Sequence, residues 1–261
     1  MFQSPGEVAF RIFDFPVYFY GIILAFSILV GVYAAYFLYK KFYESEKAPN
    51  IIDFSPFIIL IGIAGARLYY CLVNFSYYSL NPAEIFYIRQ GGLSIHGMII
   101  AGIIALYFFG KKYKMSFLKL LDVFLCGTAL AQSIGRWGNF FNSEAFGYPT
   151  DLPWKLFIPQ AHRPLEYMNY EYFHPAFLYE SILDLVIFII LIILFKKFSQ
   201  KPGTLACLYL ILYSVARIFV EHCRIDSVLN IAGFPVAQII SLIIIILASA
   251  AAVFLSRRKA G

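Results

Sequence analysis

The chain alternates between long apolar segments and short polar ones. Seven of the apolar segments are long enough for a helix to cross a hydrocarbon core of about 30 Å. They lie at residues 16–39, 54–75, 93–110, 119–141, 175–196, 203–221 and 235–256. This pattern predicts an all-α polytopic membrane protein with seven transmembrane helices, folded as one integral-membrane domain over residues 1–261.

The connections between the predicted helices are short, with two exceptions on the same side. Residues 142–174 are rich in proline, tyrosine and tryptophan and show little helical periodicity. Loops of this length are usually functional or disordered, and the aromatic content here favours a small folded cap outside the cytoplasm. Residues 76–92 contain a helical stretch that begins at Pro82, which predicts a short interfacial helix.

The composition agrees with a membrane protein. Hydrophobic residues make up 61% of the chain and charged residues 14%, whereas soluble domains average about 45–50% and about 25%. The net charge of +6 does not indicate a nucleic-acid partner, because the basic residues lie in short runs between apolar segments. The cysteines show no metal-site spacing, and Cys71, Cys126 and Cys207 fall in apolar segments, where we expect them to be buried.

Lysine and arginine are distributed unequally between the two sets of connections. Thirteen follow the first, third, fifth and seventh segments: Lys40, Lys41, Lys47, Lys111, Lys112, Lys114, Lys119, Lys196, Lys197, Lys201, Arg257, Arg258 and Lys259. Five lie in the other set: Arg11, Arg89, Lys155, Arg163 and Arg224. The positive-inside rule places the first set in the cytoplasm, so we expect the N-terminus outside and the C-terminus inside.

A polar cluster ends the fourth apolar segment. The sequence IGRWGNFFNSEAFG (134–147) places Arg136, Asn139, Asn142 and Glu144 directly after the charge-free stretch FLCGTALAQSI. Arg136 and Asn139 are three residues apart and share a helical face. A charge at this depth is costly unless it is paired or faces a polar cavity, which indicates a functional site. The alternative is an interfacial arginine that extends to lipid headgroups.

Other polar residues fall at the same predicted depth, in the outer leaflet. They are Tyr20, Arg67, His96, His174, Tyr179, Glu180, Arg217 and Glu221, with Asp184 one turn deeper. Several have a structural alternative. Tyr20 could belong to an aromatic belt, and His96 could be a buried, hydrogen-bonded histidine. Arg217 and Glu221 could form an ion pair within one helix, and Glu180 and Asp184 could bridge helices. The shared depth of all these residues favours a common site.

The arginines at this depth indicate a phosphate ligand. Arg67, Arg136 and Arg217 outnumber what the nearby acids need for pairing, and the planar guanidinium suits phosphate. A phosphate at this depth belongs to a lipid headgroup. The sequence therefore indicates an outward-facing cavity that binds an anionic phospholipid beside a histidine.

Three classes of protein fit such a cavity: a phospholipid-using transferase, a lipid transporter or binding protein, and an intramembrane protease. The protease is disfavoured because the sequence has no GxSxG motif with a partner histidine and no HExxH motif. A transporter is expected to carry polar groups through both leaflets and to show an internal repeat. Neither feature is evident in the sequence.

The polar segments resemble those of one known family. GRWGNFFNSEAFG (135–147) matches every fixed position of G-R-x-G-N-F-x-N-x-E-x-x-G, the signature of bacterial phosphatidylglycerol–prolipoprotein diacylglyceryl transferases. The segments YGIILAF (20–26), GGLSIHG (91–97), FHPAFLYE (173–180) and RIFVEHCR (217–224) resemble further family segments, in the family's order. Met98 stands where many members have a second glycine after His-Gly.

The resemblance implies a seven-span enzyme of the bacterial inner membrane. It would transfer the diacylglyceryl group of phosphatidylglycerol to the thiol of a prolipoprotein lipobox cysteine, forming a thioether and releasing glycerol phosphate. No metal or other cofactor is implied. The resemblance also implies His96 as the base for the thiol and Arg136 and Arg217 as a phosphate clamp. A different proton acceptor in an arginine-organised site remains open.

The resemblance and the shared depth together predict residues that position the lipid. Asn139 and Glu144 would hold headgroup hydroxyls or the arginines, and Glu221 would orient Arg217. The other predicted phosphatidylglycerol-binding residues are Tyr20, Arg67, Asn142, Gly147 and Glu180. The alternative activity is that of an anionic-phospholipid binding protein or a lipid transporter of the outer leaflet.

Overall fold

The computed structural model describes residues 2–88, 91–225, 230–231 and 234–257. Arg89, Arg258 and Lys259, which entered the charge count, lie outside the described residues.

Long apolar helices dominate the described residues. The helices are α1 (Phe19–Phe42), α2 (Pro49–Val73), α3 (Phe75–Tyr78), α4 (Ile95–Lys112), α5 (Phe117–Phe141), α6 (Ala176–Phe198), α7 (Thr204–Glu221) and α8 (Val236–Arg257). All but the short α3 are long and apolar enough to cross a membrane, which gives seven candidate spans in this part of the chain. Each coincides with one predicted segment, so the prediction of a multi-pass, all-α membrane protein is confirmed.

The chain forms two compact units, and each is described by itself. Unit 1 comprises Met1–Ala35 and Asp122–Gly261, and unit 2 comprises Tyr36–Leu121. Helices α1 and α5 contribute residues to both units. That residues 1–261 act as one functional domain stays a prediction.

In unit 2, helices α2 and α4 pack closely because glycines face each other. A Cβ atom on Gly65 would lie 2.8 Å from the carbonyl oxygen of Gly97, and one on Gly97 would collide with the backbone of Gly65. Small residues at such crossings allow two membrane helices to approach closely. The connection between the two helices holds α3 and a 3₁₀ turn at Pro82–Phe86 instead of the single short helix predicted for residues 76–92.

In unit 1, helices α1 and α5 cross in the same manner. A Cβ atom on Gly31 would lie 2.9 Å from the carbonyl oxygen of Gly127. Near the start of α5, the fully buried Asp122 accepts hydrogen bonds from the backbone N–H groups of Gly203 and Ala206, each at 2.8 Å. These N–H groups at the start of α7 need an acceptor because a helix N-terminus supplies none. The sequence analysis did not identify Asp122 as a residue of interest.

The connection between α5 and α6 is folded. Its strands β4 (Leu156–Phe157) and β5 (Tyr172–Phe173) pair antiparallel, and β1 (Phe2–Gln3) pairs parallel with β4. Strands β2 (Val8–Ile12) and β3 (Phe15–Tyr18) form a hairpin before α1, and β6 (Asn230–Ile231) pairs with β7 (Phe234–Pro235) before α8. A buried apolar cluster supports the folded connection: Phe140, Phe146, Leu156, Ile158, Phe173 and Phe177. That this segment is an extracytoplasmic cap stays a prediction.

Candidate functional site

Glu180 is the centre of a charged cluster in unit 1. It lies in the second turn of α6 and is 5% exposed. Its Oε1 accepts hydrogen bonds from Arg217 Nη1 at 3.2 Å and from Arg224 Nη1 at 2.7 Å, and its Oε2 forms an ion pair with Arg136. The cluster therefore joins α5, α6, α7 and the segment after α7 through one carboxylate.

The cluster contains more guanidinium groups than the carboxylate of Glu180 can neutralise. Arg217 also pairs with Glu221 on its own helix, at 2.5 Å. Among the described residues, three guanidinium groups and the two carboxylates of Glu180 and Glu221 thus form one network of ion pairs. Their side chains are 22%, 21% and 13% exposed for Arg136, Arg217 and Arg224, whereas the side chain of Glu180 is 6% exposed. The cationic groups are thus the more accessible part of the cluster.

An open cleft lies beside the cluster, along α6 and α7. Its polar lining is Glu180, Asp184, Tyr213 and Arg217, and its apolar lining is Leu183, Ala216 and Val220. Apolar walls beside a guanidinium group suit an amphiphile that carries a negative charge.

A second polar group forms where α5 ends. Asn139 Nδ2 and Asn142 Nδ2 both donate to Glu144 Oε1, at 2.9 and 3.2 Å. Ser143 and Ala145 have φ angles of 53° and 54°, in the left-handed region that non-glycine residues adopt rarely. This turn reverses the chain after α5 and holds the carboxylate of Glu144 against the two asparagines. Glu144 itself remains exposed.

Two glycines of the family signature permit close contacts. The N–H of Gly147 donates to the carbonyl oxygen of His174 at 2.8 Å, and a Cβ atom on Gly147 would collide with the carbonyl oxygen of Cys223. Gly147 therefore brings the signature next to the backbone that carries Arg224. A Cβ atom on Gly138 would lie 2.8 Å from Cδ2 of Tyr20, so the ring of Tyr20 lies directly against α5.

A short hydrogen-bond chain extends from the folded connection to α6. Trp154 Nε1 donates to the hydroxyl of Tyr179 at 2.9 Å, and this hydroxyl lies 3.1 Å from Nδ1 of His174. Because the Tyr179 oxygen accepts from Trp154, its proton can be donated to His174 Nδ1. The sequence analysis placed His174 and Tyr179 at this depth but did not connect them with Trp154.

In unit 2, the buried Arg67 binds backbone carbonyl groups. Its Nε donates to Ile85 at 2.9 Å, its Nη1 to Gly91 and Gly92 at 2.9 and 3.0 Å, and its Nη2 to Glu84 at 2.5 Å. These bonds use four of the five N–H donors of a guanidinium group. Arg67 thus holds the glycine turn that leads into α4.

His96 is the second residue of α4 and is exposed. Its ring centroid lies 6.0 Å from that of Tyr69 on α2. Gly97, which forms the close contact with α2, follows it directly and fixes the backbone beside it.

The predicted site residues fall in both units. Nine lie in unit 1: Tyr20, Arg136, Asn139, Asn142, Glu144, Gly147, Glu180, Arg217 and Glu221. Arg67 and His96 lie in unit 2. The sequence analysis missed Arg224, which it counted as a loop arginine in the charge balance. A signal was present, because Arg224 closes the R-x-x-x-E-x-x-R pattern of residues 217–224.

Comparisons with known proteins identify the family of this chain. The sequence profile of a family described as prolipoprotein diacylglyceryl transferase matches residues 7–254. A phosphatidylglycerol–prolipoprotein diacylglyceryl transferase from Parasynechococcus marenigrum (strain WH8102) is 42% identical, over 99% of this chain and 97% of the relative. A protein of the same name from Synechocystis sp. (strain ATCC 27184 / PCC 6803 / Kazusa) is 44% identical, over 97% and 90%. The chain therefore belongs to the prolipoprotein diacylglyceryl transferase family.

Proposed function

We propose that this chain transfers the diacylglyceryl group of phosphatidylglycerol to the thiol of the lipobox cysteine in a prolipoprotein signal peptide. The products are a thioether-linked diacylglyceryl prolipoprotein and glycerol phosphate, and the reaction is the first step of bacterial lipoprotein maturation. The names of the relatives support this activity. In the chain itself, the proposal rests on the convergence of Arg136, Arg217 and Arg224 at Glu180, beside a cleft with apolar walls.

The arginines would act on the phosphate of the lipid. When the bond between the glyceryl carbon and the phosphate oxygen breaks, negative charge grows on the departing glycerol phosphate. Guanidinium groups that are already in place stabilise this charge more in the transition state than in the bound lipid, which lowers the barrier. Arg136 and Arg217 form this clamp in our proposal, and Glu180 and Glu221 hold them in position.

The thiol must lose its proton before it attacks the glyceryl carbon. A free cysteine with a pKa of about 8.5 is mostly protonated at neutral pH. The family resemblance implies His96 as the proton acceptor, and a different acceptor in the arginine-organised site is the alternative. The chemistry requires no metal or other cofactor.

The remaining predicted residues would position the lipid. Asn139, Asn142 and Glu144 form a hydrogen-bonded group that can bind the glycerol hydroxyls of the headgroup. Gly147 would hold the signature against the backbone of Cys223, and the ring of Tyr20 would pack against α5 at Gly138. Arg67 would contribute by holding the turn before His96.

We also propose the location of the reaction. The chain spans the inner membrane with the N-terminus outside and the C-terminus in the cytoplasm. The charged cluster then lies toward the outer leaflet, where phosphatidylglycerol and the signal peptide meet. The unequal distribution of lysine and arginine supports this orientation.

A gel-shift assay tests the proposed function. Purified protein is incubated with phosphatidylglycerol vesicles and a fluorescent lipobox peptide, and the lipidated peptide is resolved by its altered mobility. We expect lipidation with phosphatidylglycerol, and none with phosphatidylcholine or with a peptide whose cysteine is replaced by serine. Stable binding of phosphatidylglycerol without lipidation would support the alternative, an anionic-phospholipid binding protein or transporter, and would overturn the transferase.

A further inference from the structure

Asp184 is a buried carboxylate whose bonding is incomplete. It is 3% exposed and lines the cleft along α6 and α7. Among the described residues, its Oδ2 has no hydrogen-bond partner. A buried acceptor without a partner costs about 1–3 kcal/mol, and a role in catalysis is one of the reasons for which proteins retain such a group.

Another buried aspartate of unit 1 provides the contrast. Both carboxylate oxygens of Asp122 accept backbone N–H groups at the start of α7, as expected for a residue that stabilises the fold. Asp184 makes no such contact through Oδ2. Its position on the cleft therefore indicates a role toward a bound molecule.

The two cleft helices carry their polar residues at two levels. Glu180 is the fifth residue of α6 and Arg217 is the fifth from the end of α7, and their side chains are joined at 3.2 Å. Asp184 is the ninth residue of α6 and Tyr213 is the ninth from the end of α7, and both line the cleft. The level of Asp184 and Tyr213 therefore lies about 6 Å further from these helix ends than the level of Glu180 and Arg217, given a rise of about 1.5 Å per residue.

This spacing matches the order of groups in a phospholipid. If the phosphate binds at the level of Arg217, the headgroup glycerol lies toward the helix ends and the diacylglyceryl part lies deeper. The glyceryl carbon that is attacked is bonded to the phosphate oxygen on the deeper side. A hydrogen-bond acceptor at the second level is thus beside the reacting carbon and beside the sulfur that attacks it.

We propose that the carboxylate of Asp184 accepts the proton of the lipobox cysteine thiol. This inference rests on the proposed function and names a proton acceptor other than His96. The S–H proton passes to Asp184, and the sulfur forms a bond with the glyceryl carbon. The bond between that carbon and the phosphate oxygen breaks, and its electron pair leaves with glycerol phosphate. Asp184 returns its proton to water when the products leave.

A selenocysteine lipobox peptide tests this assignment. A selenol is ionised at neutral pH and needs no proton acceptor, whereas a thiol does. With Asp184→Asn, which keeps the shape of the side chain, we expect the rate with the cysteine peptide to fall on the order of 100-fold or more. The rate with the selenocysteine peptide should remain within about tenfold of the parent enzyme, since general acid–base catalysis no longer limits it. The same two peptides are compared in His96→Asn.

Each outcome decides the assignment. Selective rescue of Asp184→Asn supports Asp184 as the acceptor, and selective rescue of His96→Asn alone overturns it. Equal losses with both peptides in Asp184→Asn would show a residue that shapes the cleft, and unchanged rates would show no role. Asp184→Ser replaces the asparagine variant if that variant does not fold. If the parent enzyme lipidates neither peptide, the proposed function fails, and this result is distinct from every outcome above.

Discussion

Glu180 Oε1 accepts a hydrogen bond from Arg224 Nη1 at 2.7 Å, although the two residues are 44 positions apart in the chain. The same oxygen accepts from Arg217, and the other oxygen pairs with Arg136. One carboxylate therefore determines where three guanidinium groups lie. We therefore expect the loss of Glu180 to lower the stability of the protein more than the loss of Arg136.

Replacing Glu180 by glutamine should destabilise the protein. The variant leaves three arginines close together without the carboxylate that they share, and removing one member of a buried ion pair costs up to about 3–5 kcal/mol. We expect a clear fall in the melting temperature in detergent. Asp151→Asn is the control, because Asp151 pairs with Lys155 on an exposed surface and should be neutral. Equal melting temperatures for the two variants would refute the central role of Glu180.

Replacing Arg136 should affect rate more than stability. Glu180 keeps Arg217 and Arg224 as partners in Arg136→Gln, so the variant should remain folded. Its single-turnover rate should fall on the order of 100-fold or more, by analogy with the loss of one oxyanion donor. Arg217→Gln should behave similarly, and Arg136→Lys should also lose rate because lysine lacks the planar fork. A well-folded Arg136→Gln protein with a near-normal rate would exclude the phosphate clamp.

The contact between Tyr20 and Gly138 predicts a difference between two neighbouring glycines. Gly138→Ala would place a Cβ atom 2.8 Å from the ring of Tyr20 and force the ring to move, with an expected cost of about 1–3 kcal/mol. Gly135→Ala is the matched control, since its Cβ atom would meet nothing closer than Ser27 Oγ at 3.7 Å. Melting temperature and transfer rate should fall in Gly138→Ala alone. Indistinguishable variants would show that the ring adapts freely.

The proposed orientation predicts which positions react from outside the cell. Asn169→Cys and Lys112→Cys place a thiol on exposed positions of the two connections. A Cys223→Ser background removes the partly exposed native thiol. In intact cells, an impermeant thiol reagent should label position 169 and leave position 112 unlabelled. The reverse pattern would place the charged cluster on the cytoplasmic side and remove the lipoprotein substrate.

Glu44, in the connection between α1 and α2, predicts a pH dependence of stability. Burial raises the pKa of its carboxyl, but hydrogen bonds from Lys119 and Tyr39 and the charges of Lys119 and Lys47 outweigh this effect, and the pKa lies below its usual value. A carboxyl with a lowered pKa binds its proton more weakly in the folded state. Its contribution is therefore complete above the unfolded-state pKa of about 4.3 and is lost as the pH falls through the folded-state value.

This effect is measured as the difference in melting temperature between the parent protein and Glu44→Gln. The difference should be small, because Glu44 is partly exposed to solvent. It should be present at pH 7 and shrink below about pH 4. A difference that is constant between pH 7 and pH 3 would show that the ion pairs of Glu44 do not contribute.

The helices were predictable from the sequence because length and hydropathy are properties of a single segment. The bounds of α5 and α7, for example, lie within two residues of the predicted ones. That the polar signature residues are site residues stays a prediction, which rests on the cost of a polar side chain at that predicted depth unless it has a partner. Neither argument depends on which helices are neighbours.

The partners themselves could not be predicted in this way. The pairing of Glu180 with Arg224 depends on which faces of α6 and α7 meet, and the role of Asp122 depends on where α7 begins. Helix contacts are set by close crossings such as that of Gly31 and Gly127, which a hydropathy pattern does not reveal. The four backbone contacts of Arg67 depend on a turn that is distant from it in sequence.

The convergence of three guanidinium groups at Glu180 has a consequence for the end of the catalytic cycle. Under the proposed function, the lipid enters with a phosphodiester that carries one negative charge, and glycerol phosphate leaves as a monoester whose second pKa is about 6. At neutral pH the product is therefore more negative than the substrate headgroup and binds the arginines more tightly. The cluster that accelerates bond cleavage therefore slows the release of glycerol phosphate. Under this proposal, product release and not bond cleavage limits the rate of steady-state turnover.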